Sequence, residues 1–369
     1  MNLLVTGGAG FIGSNLVHYL LGEASSDLGI PISKVVTLDK LTYAGNAANL
    51  DPVEDDARHL LVAGDICDEK LVTDLLMEHE IDIVMHLAAE SHVDRSIDSP
   101  EEFIVTNVLG TFRLLDCFRR YIQRTGRSKV ASYGRSIADG GNCMFLHVST
   151  DEVFGSLCAE DPAFCETTPY APNSPYSASK AGSDHLARAY FHTYGLPVMT
   201  TNCSNNYGPY QFPEKLLPLM IRKTLRGEAL PVYGDGTNIR DWLYVGDHCR
   251  ALARAVVSGS AGETYVVGGK CEMKNIDVVR AIINTVAELA PERAIKTPEE
   301  LISFVTDRPG HDRRYAINPA RIENEFGWAP QETFASGLRK TVRWYLENED
   351  WIDSIESGRY RGERLGTLV

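Results

Sequence analysis

The 369-residue sequence is short of positive charge. Its 36 lysines and arginines face 50 aspartates and glutamates, which gives a formal net charge of −14. A protein of this charge is a poor candidate for general binding to nucleic acids or anionic membranes, because either partner would be repelled over most of the surface. The net charge does not exclude a small anionic ligand that is held by a few local cations.

Several other features are missing from the sequence. No apolar run approaches the roughly 18 residues of a membrane-spanning helix, and the chain opens with the strand-like segment MNLLVT rather than a basic leader. The eight cysteines are scattered, without a CxxC pair or a zinc-type spacing, and no HExxH-like motif is present. We therefore expect a cytoplasmic protein that holds no metal and binds neither membrane nor nucleic acid.

The order of the hydrophobic segments indicates an α/β fold. In the N-terminal part of the chain, short β-branched runs alternate with amphipathic helical segments, as in repeated βαβ units. The predicted strands are Asn2–Thr6, Lys34–Asp39, His59–Ala63, Ile81–Leu87 and Cys143–Ser149. The predicted helices of this part are Ser14–Leu21, Glu69–Glu80 and Glu101–Arg124, and the polar segment Arg124–Asn142 is predicted to be a surface loop. We expect a doubly wound parallel sheet over residues 1–204, rejoined by about 242–269, and a smaller C-terminal α/β substrate-binding domain over 205–369.

A glycine-rich segment, VTGGAGFIGS, follows the first predicted strand and opens a helix. It fits Gly7-x-x-Gly10-x-x-Gly13 and also Gly8-x-Gly10-x-x-Gly13. Such spacing permits a tight turn, a close approach of backbone to a pyrophosphate, and close packing of helix on strand. The pyrophosphate would rest on amide groups at the helix N-terminus, where the macrodipole favours an anion. We predict a Rossmann-type dinucleotide site here.

The acidic residue at the end of the second predicted strand bears on which dinucleotide binds. Asp39 could accept hydrogen bonds from the adenosine ribose hydroxyls and would repel a 2′-phosphate. It lies somewhat further from Gly13 than the usual interval of about 20 residues, and it is followed by Lys40. NAD is favoured over NADP, although Asp39 could also be an ordinary solvated acid. Asp65, after the third strand, is a weaker candidate for the adenine edge.

A tyrosine and a lysine are spaced to lie on one face of a helix. Tyr176 and Lys180 occupy i and i+4 in a segment that begins with Pro175, a residue suited to a helix start. A phenol has an ordinary pKa near 10, and a nearby ammonium would favour the phenolate, which could then take a proton from a hydroxyl. This pattern alone is common on helix surfaces, and it gains weight from the dinucleotide motif upstream.

Two adjacent acids follow the last predicted strand of the N-terminal part. Asp151 and Glu152 could divide acid and base roles if their environments separate their pKa values. Adjacent side chains of a regular strand point to opposite faces, so both can reach one ligand only if the chain turns out of the strand here. From the residues alone, an acidic helix start is an equally good interpretation.

Taken together, these segments resemble the nucleotide-sugar epimerases and dehydratases of the extended short-chain dehydrogenase/reductase superfamily. The matching blocks cover nearly the whole chain and are TGGAGFIGSN, LDKLTYAGN, GDI, HLAAESHVDRSI, TNVLGT, HVSTDEVFG, PYSASKAGSDH, NCSNNYGPYQFPEKLLP, GDGTNIRDWLYVGDH and DRPGHDRRYAIN. One departure is Gln211, where relatives commonly carry histidine, and this leaves the nucleotide preference slightly open.

The resemblance implies a lyase of the 4,6-dehydratase branch that acts on a thymidine-diphosphate glucose. It implies tightly held NAD that is regenerated in each turnover, and a homodimer built on a four-helix interface from Glu101–Arg124 and Ser177–Tyr194. These helices could instead pack internally on the sheet. The alternatives for function are a dehydratase for another nucleotide sugar, a 4-epimerase, or a non-catalytic NAD-sensing protein.

The resemblance also assigns residues to the site. The catalytic residues it implies are Thr150, Asp151, Glu152, Tyr176 and Lys180. The residues expected to contact NAD are Gly7, Gly10, Phe11, Ile12, Gly13, Asp39, Lys40, Leu41, Thr42, Asp65, Ile66, Leu87, Ala88, Ala89, Thr106, Tyr176, Lys180 and Asn206. The residues expected to contact the substrate are Ser91, Thr150, Asn205, Glu214, Lys215, Leu216, Pro218, Leu219, Pro231, Arg240, Asn275, Asp307, Arg308, His311 and Tyr315. Taken singly, an arginine such as Arg240 could equally form a surface ion pair.

Overall fold

The computed structural model describes residues 1–127, 143–293 and 298–358. Most of the predicted Arg124–Asn142 loop lies outside these described residues. Within them, no helix is both long enough and apolar enough to cross a membrane.

The strands of the described chain form one large sheet and two small ones. In chain order they are β1 (Asn2–Thr6), β2 (Lys34–Asp39), β3 (His59–Ala63), β4 (Ile83–His86), β5 (Met144–Thr150), β6 (Val198–Cys203), β7 (Asn205–Tyr207), β8 (Leu230–Tyr233), β9 (Ile239–Tyr244), β10 (Thr264–Val267), β11 (Glu272–Lys274) and β12 (Ile302–Val305). The five strands predicted in the N-terminal part are all present, with ends that differ by one or two residues at most.

The large sheet has seven parallel strands in the order β10-β6-β5-β4-β1-β2-β3. Its central strands are buried throughout, which explains why their sequences are continuously hydrophobic rather than alternating. From β1 the chain winds towards β3, and from β4 it winds in the opposite direction. The reversal creates a crevice at the carboxyl ends of β1 and β4, the usual position of a ligand in such sheets.

Helices cover both faces of the large sheet and support the small ones. They are α1 (Phe11–Leu21), α2 (Ala24–Leu28), α3 (Glu69–Glu78), α4 (Val93–Asp98), α5 (Pro100–Phe103), α6 (Thr111–Thr125), α7 (Pro175–Tyr194), α8 (Leu216–Arg226), α9 (Val245–Ser258), α10 (Asn275–Leu289), α11 (Ala320–Phe326), α12 (Phe334–Glu347) and α13 (Glu349–Gly358). The helix α7 starts at a capping box, in which Ser174 and Ser177 satisfy each other's backbone amides, and it ends at Gly195 in the left-handed conformation. These caps fix the helix that carries the predicted tyrosine–lysine pair.

The predicted single helix Glu101–Arg124 is wrong in detail. It consists of α5, a π-helical segment Ile104–Gly110, and α6. The wide turns coincide with Asn107, whose amide donates to the Glu90 carbonyl at 2.9 Å and to the Ser179 hydroxyl at 2.8 Å. A π-helical insertion of this kind is frequent near functional sites and has no hydrophobic-periodicity signal of its own.

The C-terminal part is built on two small sheets. One has the order β11-β9-β7, and the other pairs β12 with β8. A separate hydrophobic cluster, formed entirely by residues from Tyr207 to Ile352, packs α8, α10 and α12 together. The strand β9 is therefore held between this cluster and the large sheet's crevice.

Gly13 is required by close packing at the start of α1. A Cβ atom there would lie 2.1 Å from the Gly7 carbonyl oxygen and 2.7 Å from the Gly8 Cα atom. We expect Gly13→Ala to lower the free energy of unfolding by roughly 1–3 kcal/mol, because backbone must shift to admit the methyl group. Thermal unfolding measures this loss. The matched control is Gly182→Ala in α7, where the added atom would meet only Val108 Cγ2 at 3.5 Å; an equal loss in the control would contradict the explanation.

Candidate active site

A cavity of about 330 Å³ lies at the carboxyl end of the large sheet. It is located where the strand order reverses between β1 and β4. The glycine turn after β1 forms one part of its wall, and segments at the ends of β2, β4, β5 and β6 form others. The motifs that are far apart in the sequence therefore meet at one cavity.

The residues predicted to contact the cofactor line this cavity, with the exception of Leu41. Leu41 has a φ of 52°, and its backbone amide donates to Asp39 Oδ1 at 2.8 Å. The structure therefore gives Leu41 a part in orienting Asp39 and not a place in the cavity wall. Sequence matching could not separate these two roles, because Leu41 and the wall residues around it lie in the same matching block LDKLTYAGN.

The glycine turn has the shape that a pyrophosphate requires. Gly7 has a φ of 72°, and a Cβ atom there would lie 2.6 Å from the Ala88 amide nitrogen. At Gly10, the only described atom that a Cβ would meet within 4 Å is the Gly7 carbonyl oxygen at 3.3 Å, so this residue faces open space. Gly10 also precedes the first turn of α1, and no side chain caps that turn. The amides of this helix start are therefore available to an anion.

The two acids assigned to the adenosine side differ in their surroundings. Asp39 is buried and accepts hydrogen bonds from the amides of Ala9 at 3.0 Å and Leu41 at 2.8 Å. Its pKa is raised by burial, against these two hydrogen bonds. Asp65 instead forms an ion pair with Lys40 at 2.8 Å. Asp39 is thus held in place at the cavity by two backbone amides, whereas the charge of Asp65 is paired with the Lys40 side chain.

The tyrosine–lysine pair lies side by side on α7, as its spacing predicts. The Lys180 ammonium is buried and donates to the Val148 carbonyl at 2.9 Å. Burial lowers its pKa, and the charge of Asp184 one turn further along the helix opposes this. Burial, followed by the negative charge of Glu152, raises the pKa of Tyr176 well above its usual value, and this outweighs the lowering expected from the Lys180 ammonium. The charges of this chain alone therefore favour the neutral phenol.

The chain turns out of β5 at the point where the two acids require it. The strand ends at Thr150, and Asp151–Phe154 form a single 3₁₀ turn that the Thr150 hydroxyl caps by accepting from the Glu152 amide at 3.3 Å. Both carboxyl groups consequently line the same cavity as Tyr176. The two acids begin a capped helical turn, as the helix-start interpretation predicts. They also line the cavity, as the catalytic interpretation predicts. Both interpretations are therefore compatible with this turn.

The environments of Asp151 and Glu152 are different. Burial raises the pKa of Asp151 well above its usual value, and the negative charges of Glu152 and Asp241 raise it further. Burial also raises the pKa of Glu152, but the positive charges of three residues of the C-terminal half oppose this. Those residues are Arg308, Lys215 and Arg240. The arrangement favours a protonated Asp151 beside a more readily ionised Glu152, which is the division needed for an acid and a base.

The predicted substrate residues fall into two groups. Those that line the cavity are Ser91, Thr150, Asn205, Glu214 and Lys215. The others, all within the described chain but outside the wall of this cavity, are Leu216, Pro218, Leu219, Pro231, Arg240, Asn275, Asp307, Arg308, His311 and Tyr315. Lys215 donates to the Ser91 carbonyl at 2.9 Å, and the Asn205 side-chain oxygen is buried without a hydrogen-bond partner in the described chain.

Several residues of the second group contact one another next to the cavity. The Arg240 guanidinium lies 4.2 Å from the centre of the Tyr315 ring. Arg308 forms an ion pair with Asp94 at 2.8 Å, and burial lowers the pKa of His311 to about 4. The positive charges of Arg240 and Arg308 both lower the pKa of Glu152. These two arginines are therefore close to the catalytic acids, although they do not line the wall of the same cavity.

Asn206, which is predicted to contact NAD, has both its side-chain oxygen and its side-chain nitrogen engaged by other residues of the chain. The Asn206 side chain lies 3.0 Å from His248 Nδ1 through its oxygen and donates to the Ser204 carbonyl at 3.0 Å. Asn206 still lines the cavity, but its amide is held in place by these contacts. Its orientation depends on a histidine far away in the sequence, which motif matching did not consider.

Some wall residues were missed by the sequence analysis. Tyr43, Glu90 and Phe212 line the cavity. The Arg95 guanidinium stacks 3.9 Å from the centre of the Tyr43 ring and forms an ion pair with Glu214 at 3.0 Å. Tyr43 and Arg95 stand in two of the matching blocks, so their positions were available, but nothing in the sequence indicated that they pack together.

Comparison with known proteins agrees with this geometry. The family model described as GDP-mannose 4,6 dehydratase matches residues 4–341. Two similar curated proteins are the dTDP-glucose 4,6-dehydratases of Xanthomonas campestris pv. campestris (strain B100), 55% identical with 99% of each chain covered, and of Neisseria meningitidis serogroup B, 53% identical with 99% of each chain covered. A similar solved structure is the dTDP-glucose 4,6-dehydratase DesIV from Streptomyces venezuelae with NAD and TYD bound, at 46% identity and a TM-score of 0.85, covering 96% of this chain and 100% of that one.

The chain therefore belongs to the nucleotide-sugar 4,6-dehydratase family of the extended short-chain dehydrogenases/reductases. Within that family, the similar proteins named above are dTDP-glucose 4,6-dehydratases.

Proposed function

We propose that this protein is a dTDP-glucose 4,6-dehydratase, which converts dTDP-glucose to dTDP-4-keto-6-deoxyglucose and water. The observation that carries the proposal is the pair Asp151 and Glu152 on the same cavity wall as Tyr176. A 4-epimerase needs one base for a hydroxyl proton. A dehydratase must also remove a carbon-bound proton and assist the loss of a hydroxyl group, so it needs a further base and a further acid.

The cavity fits NAD. Gly10 leaves room for the pyrophosphate at the start of α1, and the buried Asp39 carboxylate lies at the end of β2, where it would accept the ribose hydroxyls and disfavour a 2′-phosphate. When bound, NAD supplies a hydride acceptor and a positive charge near the Tyr176 phenol. That charge would offset the burial that raises the pKa of Tyr176.

Each catalytic side chain has one task in the proposed reaction. Tyr176 takes the proton of the hexose 4-hydroxyl, and Thr150 hydrogen-bonds the C4 oxygen. The resulting ketone acidifies the C5–H bond, so that Glu152 can remove this proton. Asp151, whose pKa burial raises well above its usual value, donates a proton to the departing C6 hydroxyl. Lys180 places a fixed positive charge one helical turn from Tyr176.

The substrate's diphosphate would be held by cations of the C-terminal part. Arg240 and Arg308 are the candidates, because guanidinium groups match phosphate oxygens. Arg308 Nε is buried without a hydrogen-bond partner in the described chain, which leaves a donor for such a ligand. Lys215, at the start of α8, lies on the cavity wall and could contribute a third charge. A protein of net charge −14 can thus bind an anionic substrate locally.

The reaction can be tested with isotopically labelled solvent. The protein is incubated in deuterated water with dTDP-glucose, UDP-glucose or GDP-mannose, and the products are analysed by mass spectrometry and NMR. We expect loss of water from dTDP-glucose and deuterium at C5 of the product. A product epimeric at C4 without solvent deuterium would indicate an epimerase. Absence of turnover with every substrate would support a non-catalytic NAD-sensing protein.

A homodimer through the α5–α7 region is also part of the proposal. The π-helical segment Ile104–Gly110 and the first turn of α6 expose apolar side chains, among them Ile104 at 51% and Phe112 at 41%. Exposed apolar side chains grouped along one stretch of helix are typical of an interface. Tyr194, at the end of α7, is also exposed, and the Arg119 guanidinium of α6 lies 5.0 Å from the centre of its ring. This placement supports a helical interface between two copies of the chain.

The dimer is tested by placing charges in the apolar segment. We expect the double variant Ile104→Glu/Phe112→Glu to sediment at half the mass of the wild type, because burying two carboxylates in an apolar contact is strongly unfavourable. Sedimentation equilibrium measures this. Met77→Glu in α3 is the control, since Met77 is comparably exposed at 40% but lies elsewhere. A double variant with the wild-type mass would exclude this surface as the interface.

Two further parts of the proposal concern organisation and location. We propose an NAD-binding domain over 1–204, rejoined by about 242–269, and a substrate-binding domain over 205–369; the separate C-terminal hydrophobic cluster supports this division. We also propose a cytoplasmic location. The eight free cysteines support it, because thiols stay reduced in that compartment.

A further inference from the structure

The C-terminal helix α13 is connected by hydrogen bonds to the glycine turn of the cavity. The Trp351 indole N–H donates to Asn49 Oδ1 at 2.8 Å, although the two residues are 302 positions apart in the sequence. Asn49 Nδ2 donates in turn to the Ala9 carbonyl at 2.8 Å. Ala9 precedes Gly10, the residue that faces open space at the start of α1. Two hydrogen bonds therefore join α13 to the turn that is expected to hold the pyrophosphate.

Contacts within the chain hold both peptide groups of Ala9. Its carbonyl accepts from Asn49 Nδ2 and also from the Asn46 amide at 3.0 Å, which occupies both lone pairs of the oxygen. Its own amide donates to Asp39 Oδ2 at 3.0 Å. Because a peptide group is planar, the direction of the Ala9 carbonyl also sets that of the Gly10 N–H. The backbone that leads into α1 is thus shaped by side chains of other segments.

The orientation of the Asn49 amide depends on Trp351. Asn49 is 1% exposed. An indole N–H can only donate, so it pairs with the oxygen of a side-chain amide and leaves the nitrogen to face the Ala9 carbonyl. Without the indole N–H, a buried oxygen would lose this donor, which is unfavourable. The loss favours other orientations of the amide, in which the Ala9 carbonyl is no longer held.

Trp351 is itself held by aromatic neighbours. The centre of its ring lies 5.0 Å from that of Trp344 in α12 and 6.2 Å from that of Tyr210. Trp344 and Tyr210 also pack on each other, with ring centres 4.6 Å apart. Tyr210 is followed by Gln211 and Phe212, which line the cavity. Trp351 is therefore fixed between α12 and a segment of the cavity wall, although it does not line the cavity itself.

We propose that Trp351 is a positioning residue for NAD, which acts through Asn49 to hold the glycine turn in the shape that accepts the pyrophosphate; this rests on the proposed NAD site. A turn that is already shaped costs less to order when its ligand binds. Loss of the Trp351 N–H therefore loosens the turn and shortens the time for which NAD stays bound.

The test measures how fast bound NAD leaves the purified protein. The protein loaded with NAD is mixed with a large excess of deuterium-labelled NAD, and the exchange is followed by mass spectrometry. We expect exchange to be roughly 5-fold faster in Trp351→Phe, which keeps an aromatic ring without the N–H, and roughly 10-fold faster in Asn49→Ala. The double variant should exchange no faster than Asn49→Ala, because the effect of Trp351 passes through Asn49.

Trp328→Phe is the matched control, since it removes an indole N–H that donates to the Asp247 carbonyl at 3.1 Å. It should lower the thermal stability about as much as Trp351→Phe does and leave the exchange rate unchanged. If Asn49→Ala fails to fold, the comparison of these two tryptophan variants decides.

Three results would overturn the proposal. They are exchange by Trp351→Phe at the wild-type rate, an equal acceleration in Trp328→Phe, and additive effects in the double variant. The second result would indicate a general loss of stability, and the third would show that Trp351 acts independently of Asn49. Failure of the proposed NAD site is distinguishable from all three, because the wild type would then bind no NAD.

Discussion

Glu152→Gln should stop the reaction after the oxidation of C4. The amide cannot accept the C5 proton, so formation of the 4-keto-6-deoxy product should fall roughly 1,000-fold. The oxidation itself depends on Tyr176 and Thr150, whose positions on α7 and at the end of β5 do not require the Glu152 charge. Replacing that carboxylate also removes a negative charge that raises the pKa of Tyr176, so the phenol should ionise more readily.

The measurement follows two signals in one experiment. After dTDP-glucose is mixed with Glu152→Gln, the absorbance of reduced nicotinamide should rise and persist, while chromatography detects almost no dehydrated product. The control is Glu325→Gln on α11, an exposed acid that pairs with Arg321 at 2.8 Å, and it should behave like the wild type. Dehydration by Glu152→Gln at the wild-type rate would show that another group removes the C5 proton.

Tyr176→Phe should abolish the oxidation step itself. Tyr176 is the residue assigned to take the 4-hydroxyl proton, so kcat should fall roughly 1,000- to 10,000-fold when the phenol oxygen is removed. Neither reduced nicotinamide nor product should accumulate, in contrast to Glu152→Gln. In the wild type, burial raises the pKa of Tyr176, so the oxidation rate should increase with pH until the phenol is ionised.

A buried tyrosine remote from the cavity provides the matched control. Tyr121 on α6 donates to the Ile81 carbonyl at 2.9 Å, and Tyr121→Phe should cost about 1 kcal/mol of stability without changing kcat. Rapid-mixing absorbance and product analysis report on both variants. Accumulation of reduced nicotinamide in Tyr176→Phe at a near wild-type rate would assign the base to another residue.

The sequence predicted the features of this site that depend on local spacing. The i, i+4 relation of Tyr176 and Lys180 places them together on any helix, and the glycine spacing defines the turn after β1. Asp151 and Glu152 line the same cavity wall because the chain leaves β5 at Thr150. The prediction that both acids reach one ligand required such a turn. The family resemblance located most of the remaining wall residues.

Other features depend on contacts between segments that are distant in the sequence. The spacing of residues along the chain gives no information about such contacts. The π-helical segment Ile104–Gly110 contains Asn107, whose side chain donates to the Glu90 carbonyl and the Ser179 hydroxyl. The stacking of Arg95 on Tyr43 joins a segment after β2 to α4. The pKa of Tyr176 is governed by burial, a property of the whole fold, and for this reason its direction differs from the one expected from the neighbouring lysine.

The reacting groups and the cations for the diphosphate come from different stretches of the chain. Thr150 is the last residue of β5, and Asp151, Glu152 and the pair on α7 lie between β5 and β6. Arg240 and Arg308 come from β9 and from the segment after β12, where they are held by contacts of their own. Because the diphosphate is common to nucleotide sugars, substitutions in the stretch that holds it can change how tightly a substrate binds without altering the stretch that carries the reaction chemistry. Substrate affinity and chemistry can therefore vary separately within this fold.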